Sequence, residues 1–163
     1  MKRKNLVGLM ERYHEHFHLG FALLSLLIVV MFFPSLSLLS ATFVAIIGGF
    51  VPDSDHLFFI FIYGRHTQYA RGVRHSLSIG LDKAIEYVRQ NHKKNNFILS
   101  HNLLTVFVSF AFFVYSLSHD YALASVFWLS FTNHFIFDII EDFLALGRLN
   151  SNWFLRFSSK LSS

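Results

Sequence analysis

The sequence predicts an all-α integral membrane bundle of about four transmembrane helices, with a cytoplasmic amphipathic segment between the second and third spans. Three observations predict it. Charged residues are 15% of the chain, against about 25% in an average soluble protein. Long runs carry no Asp, Glu, Lys or Arg, and they approach the roughly 20 apolar residues that a bilayer core of about 30 Å demands of a helix. All 14 Lys and Arg residues fall in three segments separated by those runs. The whole chain, residues 1–163, reads as one membrane domain.

From Leu19 to Val51 no Asp, Glu, Lys, Arg or His occurs. Pro34 interrupts this run, and proline both lacks the amide hydrogen a helix needs and clashes with the preceding turn. Two spans follow, 16–33 and 36–51, joined by a very short turn. The polar, partly acidic stretch Glu11 to His16 and the lack of a small-residue cleavage site argue against a cleaved signal peptide. The third span is expected at 97–117, with His101 its single ionisable residue, and the fourth at 121–146, carrying His134, Asp138, Glu141 and Asp142.

Between spans two and three, Leu57 to Tyr63 is apolar but too short to cross. Leu81, Ile85 and Val88 recur at helical spacing, with Glu86 and Arg89 on another face. This pattern predicts an amphipathic helix over 78–93. Residues 158–163 read as a frayed tail.

The basic residues give orientation. Lys2, Arg3, Lys4 and Arg12 precede the first span; Arg65, Arg71, Arg74, Lys83, Arg89, Lys93 and Lys94 lie between the second and third; Arg148, Arg156 and Lys160 follow the fourth. The other two turns have none. With four spans these segments share one side, which the positive-inside rule makes cytoplasmic. The expectation is a multi-pass protein of the cell's inner membrane with both termini cytoplasmic. The formal charge of +4 therefore reads as membrane orientation and contact with anionic headgroups. A nucleic-acid role is disfavoured, because there is no Gly-rich phosphate loop or recognition-helix pattern.

The chain holds 10 His and no Cys, so any metal must be held by nitrogen and oxygen ligands. Ionisable groups inside a span are costly and mark a protein interior or a cavity. Here they gather at one face: His14, His16 and His18 at the start of span one, Asp53, Asp55 and His56 at the end of span two, His101 at the start of span three, and His134, Asp138 and Asp142 late in span four. Residues His134 and Asp138 are four apart, so both point one way, and Asp142 continues the stripe. His14, His16 and His18 cannot all serve, because residues two apart face away from each other. Asp53, Asp55 and His56 sit where the chain is expected to leave a helix, as a tight carboxylate loop behind Pro52. Carboxylate plus imidazole suits a divalent transition metal: zinc first, with manganese or iron as alternatives. His66, His92 and His119 read as solvated.

These motifs resemble a family of membrane-bound metal-dependent hydrolases, the LexA-binding, inner-membrane-associated hydrolases. The pattern of that family is a His four residues before a Gly, then P-D-x-D-H, then H-R-G-x-T-H-S, then H-x-x-x-D. Here His16 stands four before Gly20, Pro52 to His56 matches the second motif in full, and His134 with Asp138 matches the last. For the third motif, Arg71 to Ser76 matches by letters and offers His75, with Ala70 where the leading His would stand. Residue His101 matches by position, with Asn96 in the leading place, and is preferred. The resemblance covers roughly residues 14–142. It implies a metal site of Asp53, Asp55, His56, His101, His134 and Asp138, with His16 added, and a hydrolase acting on a phosphoester or other ester at the cytoplasmic face. A carboxylate left free of metal, Asp55 or Asp142, would serve as general base. The substrate would be a small-molecule or lipid ester. The alternatives are a metal-binding membrane protein without catalysis, whether transporter or structural partner, and a haem electron carrier using His101 and His134.

Overall fold

A computed structural model describes residues 3–91 and 98–154, leaving out the side chains of residues 3–6 and 11. Lys2, His92, Lys93, Lys94, Asn96, Arg156, Lys160, the expected start of span three at residue 97 and the tail at 158–163 lie outside the described residues. Every described element is helical: α1 (Arg3–Arg12), α2 (His14–Phe32), α3 (Leu38–Phe50), α4 (Ser54–Phe58), α5 (Gln68–Ile79), α6 (Leu81–Asn91), α7 (Leu103–Ser118) and α8 (Ala122–Leu146). Among the described residues three helical stretches are long and apolar enough to cross a membrane: His14–Phe32, Leu38–Tyr63 and Ala122–Leu146.

The bundle is organised around α8, which packs on α2, α3 and α7. Small residues let the backbones approach. A Cβ added at Gly48 would stand 2.6 Å from the Phe127 carbonyl oxygen of α8, and one at Gly49 would stand 2.9 Å from the Ala22 Cβ of α2. Close contact through small residues is how helices associate where lipid removes the hydrophobic drive. Polar side chains tie the same helices together: the Thr132 hydroxyl donates to Ser109 Oγ at 2.9 Å, and the Asn133 amide donates to Ser25 Oγ at 2.8 Å. The outside is the reverse of a soluble surface. Leu27, Met31, Leu39 and Phe107 are exposed, as expected of residues facing acyl chains.

Several boundaries depart from the sequence reading. The second span does not end at residue 51. Helix α3 runs on through a 3₁₀ turn (Val51–Asp53), α4 and a π-helical turn (Phe59–Tyr63). Pro52 sits in the first turn of the new segment, where a missing amide hydrogen costs no helical bond. The P-D-x-D-H motif is therefore helical rather than a loop, and the apolar run Leu57 to Tyr63 completes the span. The third span begins later than expected, at Leu103, because the Asn102 side chain caps the helix by accepting from Thr105 N at 2.9 Å. The resulting 16-residue helix rises about 24 Å at 1.5 Å per residue, short of a full crossing. The helix expected over 78–93 is α6, which starts at Leu81 because a preceding helix, α5, runs to Ile79; the two pack on each other across Gly80.

Candidate metal centre

Helix α2 begins at His14, so His14 and His18 fall four residues apart on one face, turned toward α8. Position 16 is rotated about 200° from 14 at 100° per residue. His16 is accordingly exposed, with Tyr13 edge-on to its ring at 5.6 Å. The structure brings His14 and His18 to the site and leaves His16 outside it.

From α8, His134 and Asp138 point inward side by side. Asp138 is 9% exposed, yet three imidazoles converge on it: His101 Nε2 at 3.1 Å, His134 Nε2 at 3.2 Å and His18 Nε2 at 3.3 Å. Asp53, from the 3₁₀ turn, stands 3.6 Å from His134 Nε2. Residue His56, one turn on, packs edge-on to the His101 ring at 4.9 Å. The donor atoms form four overlapping groups, each compact enough for one ion: His14, His18 and Asp138; His18, Asp53 and His134; Asp53, His56 and His101; His101, His134 and Asp138. Asp53 and Asp138 each belong to two groups, so either carboxylate can bridge neighbouring positions. A buried His and Asp cluster able to hold a metal ion is thus present, at one end of the bundle.

Orientation is fixed from behind the rings. His134 Nδ1 lies 2.8 Å from the Gly49 carbonyl oxygen and must donate to it, which turns the buried Nε2 toward the carboxylates of Asp138 and Asp53. His101 Nδ1 pairs with Ser100 Oγ at 2.9 Å and likewise presents Nε2 inward. Such outer contacts are what orient imidazoles at metal sites.

Asp55 lies outside the four groups. Its two oxygens accept from the Tyr63 hydroxyl at 2.8 Å and from Ser100 N at 2.6 Å. It anchors the short segment that carries His101. Asp142 is also outside the groups; one oxygen accepts the Trp153 indole N–H at 2.8 Å, and the residue lines the adjoining cavity. His75 is exposed on α5 and belongs to none of the groups, whereas His101 belongs to two. Residues His66 and His119 are exposed.

Two members of these groups, His14 and His18, went unassigned as ligands in the sequence reading. For His18 the available signal was its four-residue spacing from His14. Glu141, 3% exposed and 3.5 Å from His14 Nδ1, lies three residues past Asp138 on the same stripe of α8.

A cavity of about 590 Å³ opens beside the cluster. Asp53, His56, His101, Asp138 and Asp142 form its polar end, and the remainder is walled mainly by apolar side chains of α4, α5 and α6. Tyr69 lines this wall, and burial pushes its phenol up to about 12, so it is uncharged at neutral pH. No family model, curated protein or solved structure matches the chain.

Proposed function

We propose that this protein is a membrane-integral, metal-dependent hydrolase acting on a phosphoester or other ester, with its site at the cytoplasmic face of the inner membrane. The observation that carries the reading is the buried Nε2 of His134. With Nδ1 donating to Gly49, a neutral ring aims a bare lone pair at carboxylate oxygens 3.2 and 3.6 Å away. Two acceptors at that distance repel unless a cation lies between them. Ligands each about 2.1 Å from a tetrahedral ion stand about 3.4 Å apart, which matches the spacings around Asp138. A proton on Nε2 would also relieve one such pair, but it serves one ring at a time, whereas a single ion can accept lone pairs from neighbouring imidazoles together.

His101, His134 and Asp138 would hold one ion, and Asp53 with His18 or His56 could complete it or hold a neighbouring one, with His14 at the flank. Nitrogen and oxygen donors without sulfur suit zinc, manganese or iron. A bound divalent metal supplies Lewis acidity, polarising an ester or phosphoryl oxygen and making water nucleophilic near neutral pH. The residues of the chain do the rest. Asp142 lines the cavity, accepts from the Trp153 indole and is the carboxylate assigned to take a proton from attacking water. Asp55 instead accepts from the Tyr63 hydroxyl and the Ser100 amide and holds the His101 segment. The apolar wall excludes bulk water, which strengthens every charge interaction at the polar end. His101 and His134 crowd onto one carboxylate, leaving no gap for a porphyrin plane between them and arguing against haem. The motif resemblance to the LexA-binding, inner-membrane-associated hydrolases supports the same reading through Asp53, His56, His134 and Asp138.

The test is elemental analysis of the full chain after mild purification, followed by hydrolysis assays on a generic phosphodiester and a phospholipid. Stoichiometric transition metal in the parent and its absence in an Asp53→Ala, His134→Ala double variant support the site. Equal loading of the two overturns it. A loaded parent that hydrolyses none of several ester classes with any of these metals overturns the hydrolase assignment.

A further inference from the structure

The cavity has two chemically opposite ends. Its polar end is the metal cluster. Its other end is a wall of Val73 and Leu77 from α5 and Leu81, Ile85 and Val88 from α6. Several of these wall residues also open outward: Leu77, Leu81 and Ile85 are exposed, as are Leu57 and Phe61 across from them. Apolar side chains therefore make up much of the exposed rim, beside the charged Arg12, Glu15 and Arg89, while His101 and Asp138 lie deep. Ile79, at the end of α5, is exposed as well. A helix pair with such a face rests on a bilayer rather than in water. Arg12 and Glu15 line the cavity as well, and the Arg12 guanidinium suits a phosphate.

We infer that the cavity takes a single-chain or diacyl membrane amphiphile directly from the bilayer, an acyl chain lying along the α5–α6 wall and an anionic, ester-linked headgroup reaching the metal cluster. This deepens the hydrolase reading and rests on it for the chemistry, but chain binding itself does not need the metal. The volume of about 590 Å³ lies within the roughly 300–1,000 Å³ of ligand sites.

The chain supplies its own reporter. It has two tryptophans, and Trp153 lines the cavity at 2% exposure, so lipid around the bundle cannot touch it. The experiment uses the full chain carrying Trp128→Phe and a lysophospholipid with bromines on the carbons nearest the ester. Quenching of Trp153 fluorescence is expected. It should be about tenfold weaker in a Leu77→Gln, Ile85→Gln variant, since each amide put into the wall is desolvated by a bound chain. Both positions are outward-opening, so folding and metal content should hold and are measured alongside. Absence of quenching in a metal-loaded parent overturns the inference and leaves the metal reading standing. Quenching in a parent that binds no metal overturns the hydrolase reading and leaves the amphiphile site standing. Equal quenching of parent and wall variant overturns the assignment of the chain to this wall. A dimer joined through Leu77 and Ile85, with Trp153 unquenched, assigns the wall to a second copy instead and overturns it too.

Discussion

A single carboxylate organises the centre. Asp138 is nearly buried, and three imidazoles from three separate parts of the chain reach it. Each ring is fixed less by its own choice than by what lies behind it, Gly49 for His134 and Ser100 for His101. The histidines at the start of α2 provide a clean discrimination. His18 is buried against Asp138 while His16 is exposed, so His18→Ala should lose metal and His16→Ala should keep it, as read by metal content after dialysis. Retention by the first and loss by the second would reverse the assignment. Asp142 offers a second test at this scale. Asn in its place can still accept from the Trp153 indole, so Asp142→Asn should keep metal and melting temperature. Its hydrolysis of a phosphodiester should fall by about 10²-fold or more, the range for a lost general base. An unchanged rate at matched metal content would remove Asp142 from the mechanism.

Among the elements, the π-helical turn has the longest reach. The Gly64 amide bonds back to the Phe59 carbonyl at 2.8 Å, five residues earlier. Arg74 from α5 donates to the Ile60 and Arg65 carbonyls at 2.5 and 2.6 Å, holding the turn and its exit. The one-residue offset brings Tyr63 round to face Asp55, and the Tyr63 hydroxyl also accepts from Leu99 N at 3.2 Å. Asp55 in turn grips Ser100, beside His101. The π turn thus positions His101, more than 35 residues away in sequence, without touching it, and such turns are frequent near functional sites. Tyr63→Phe removes both hydroxyl contacts and nothing else. Metal affinity should drop by about 10–100-fold, the usual cost of losing a second-layer contact, with the helical circular dichroism unchanged. Titration with a competing chelator checks it, and unchanged affinity would reduce Tyr63 to a packing role.

For the molecule as a whole, the polar groups of α2, the α3–α4 stretch, the His101 segment and α8 meet at one end of the bundle. The basic residues flank that same end in sequence, which gives the topology a direct test. Reporter fusions at Lys94 and Ser163 should read cytoplasmic and one at Asp120 should read outside, by the positive-inside rule. A cytoplasmic signal from Asp120 would mean that α7 and α8 do not form a transmembrane pair. The short length of α7 makes this the informative position.

The sequence alone determined the class of the molecule, because composition and run length depend on solvent rather than on neighbours. Apolar stretches without charge have no stable place in water, and the helix is the way a lone segment satisfies its backbone in lipid. It also determined that Asp53, His56, His101, His134 and Asp138 would share an end, since alternating spans bring their like-facing termini together. Helical phase was legible too, though not in every case used: the four-residue spacing of His14 and His18 marks a face, and motif matching alone pointed to His16. Only the tertiary structure decided the rest. Whether Pro52 ends a helix or begins its next turn depends on the packing of α3 against α8, not on proline itself. That His101 rather than His75 reaches the cluster, and that Asp55 grips the Ser100 amide, rest on contacts such as the one spanning 45 residues between Asp55 and Ser100. The cavity is likewise made by α5 and α6 folding back over the site. No local pattern encodes such contacts, because their energy comes from groups that meet only after the bundle has closed.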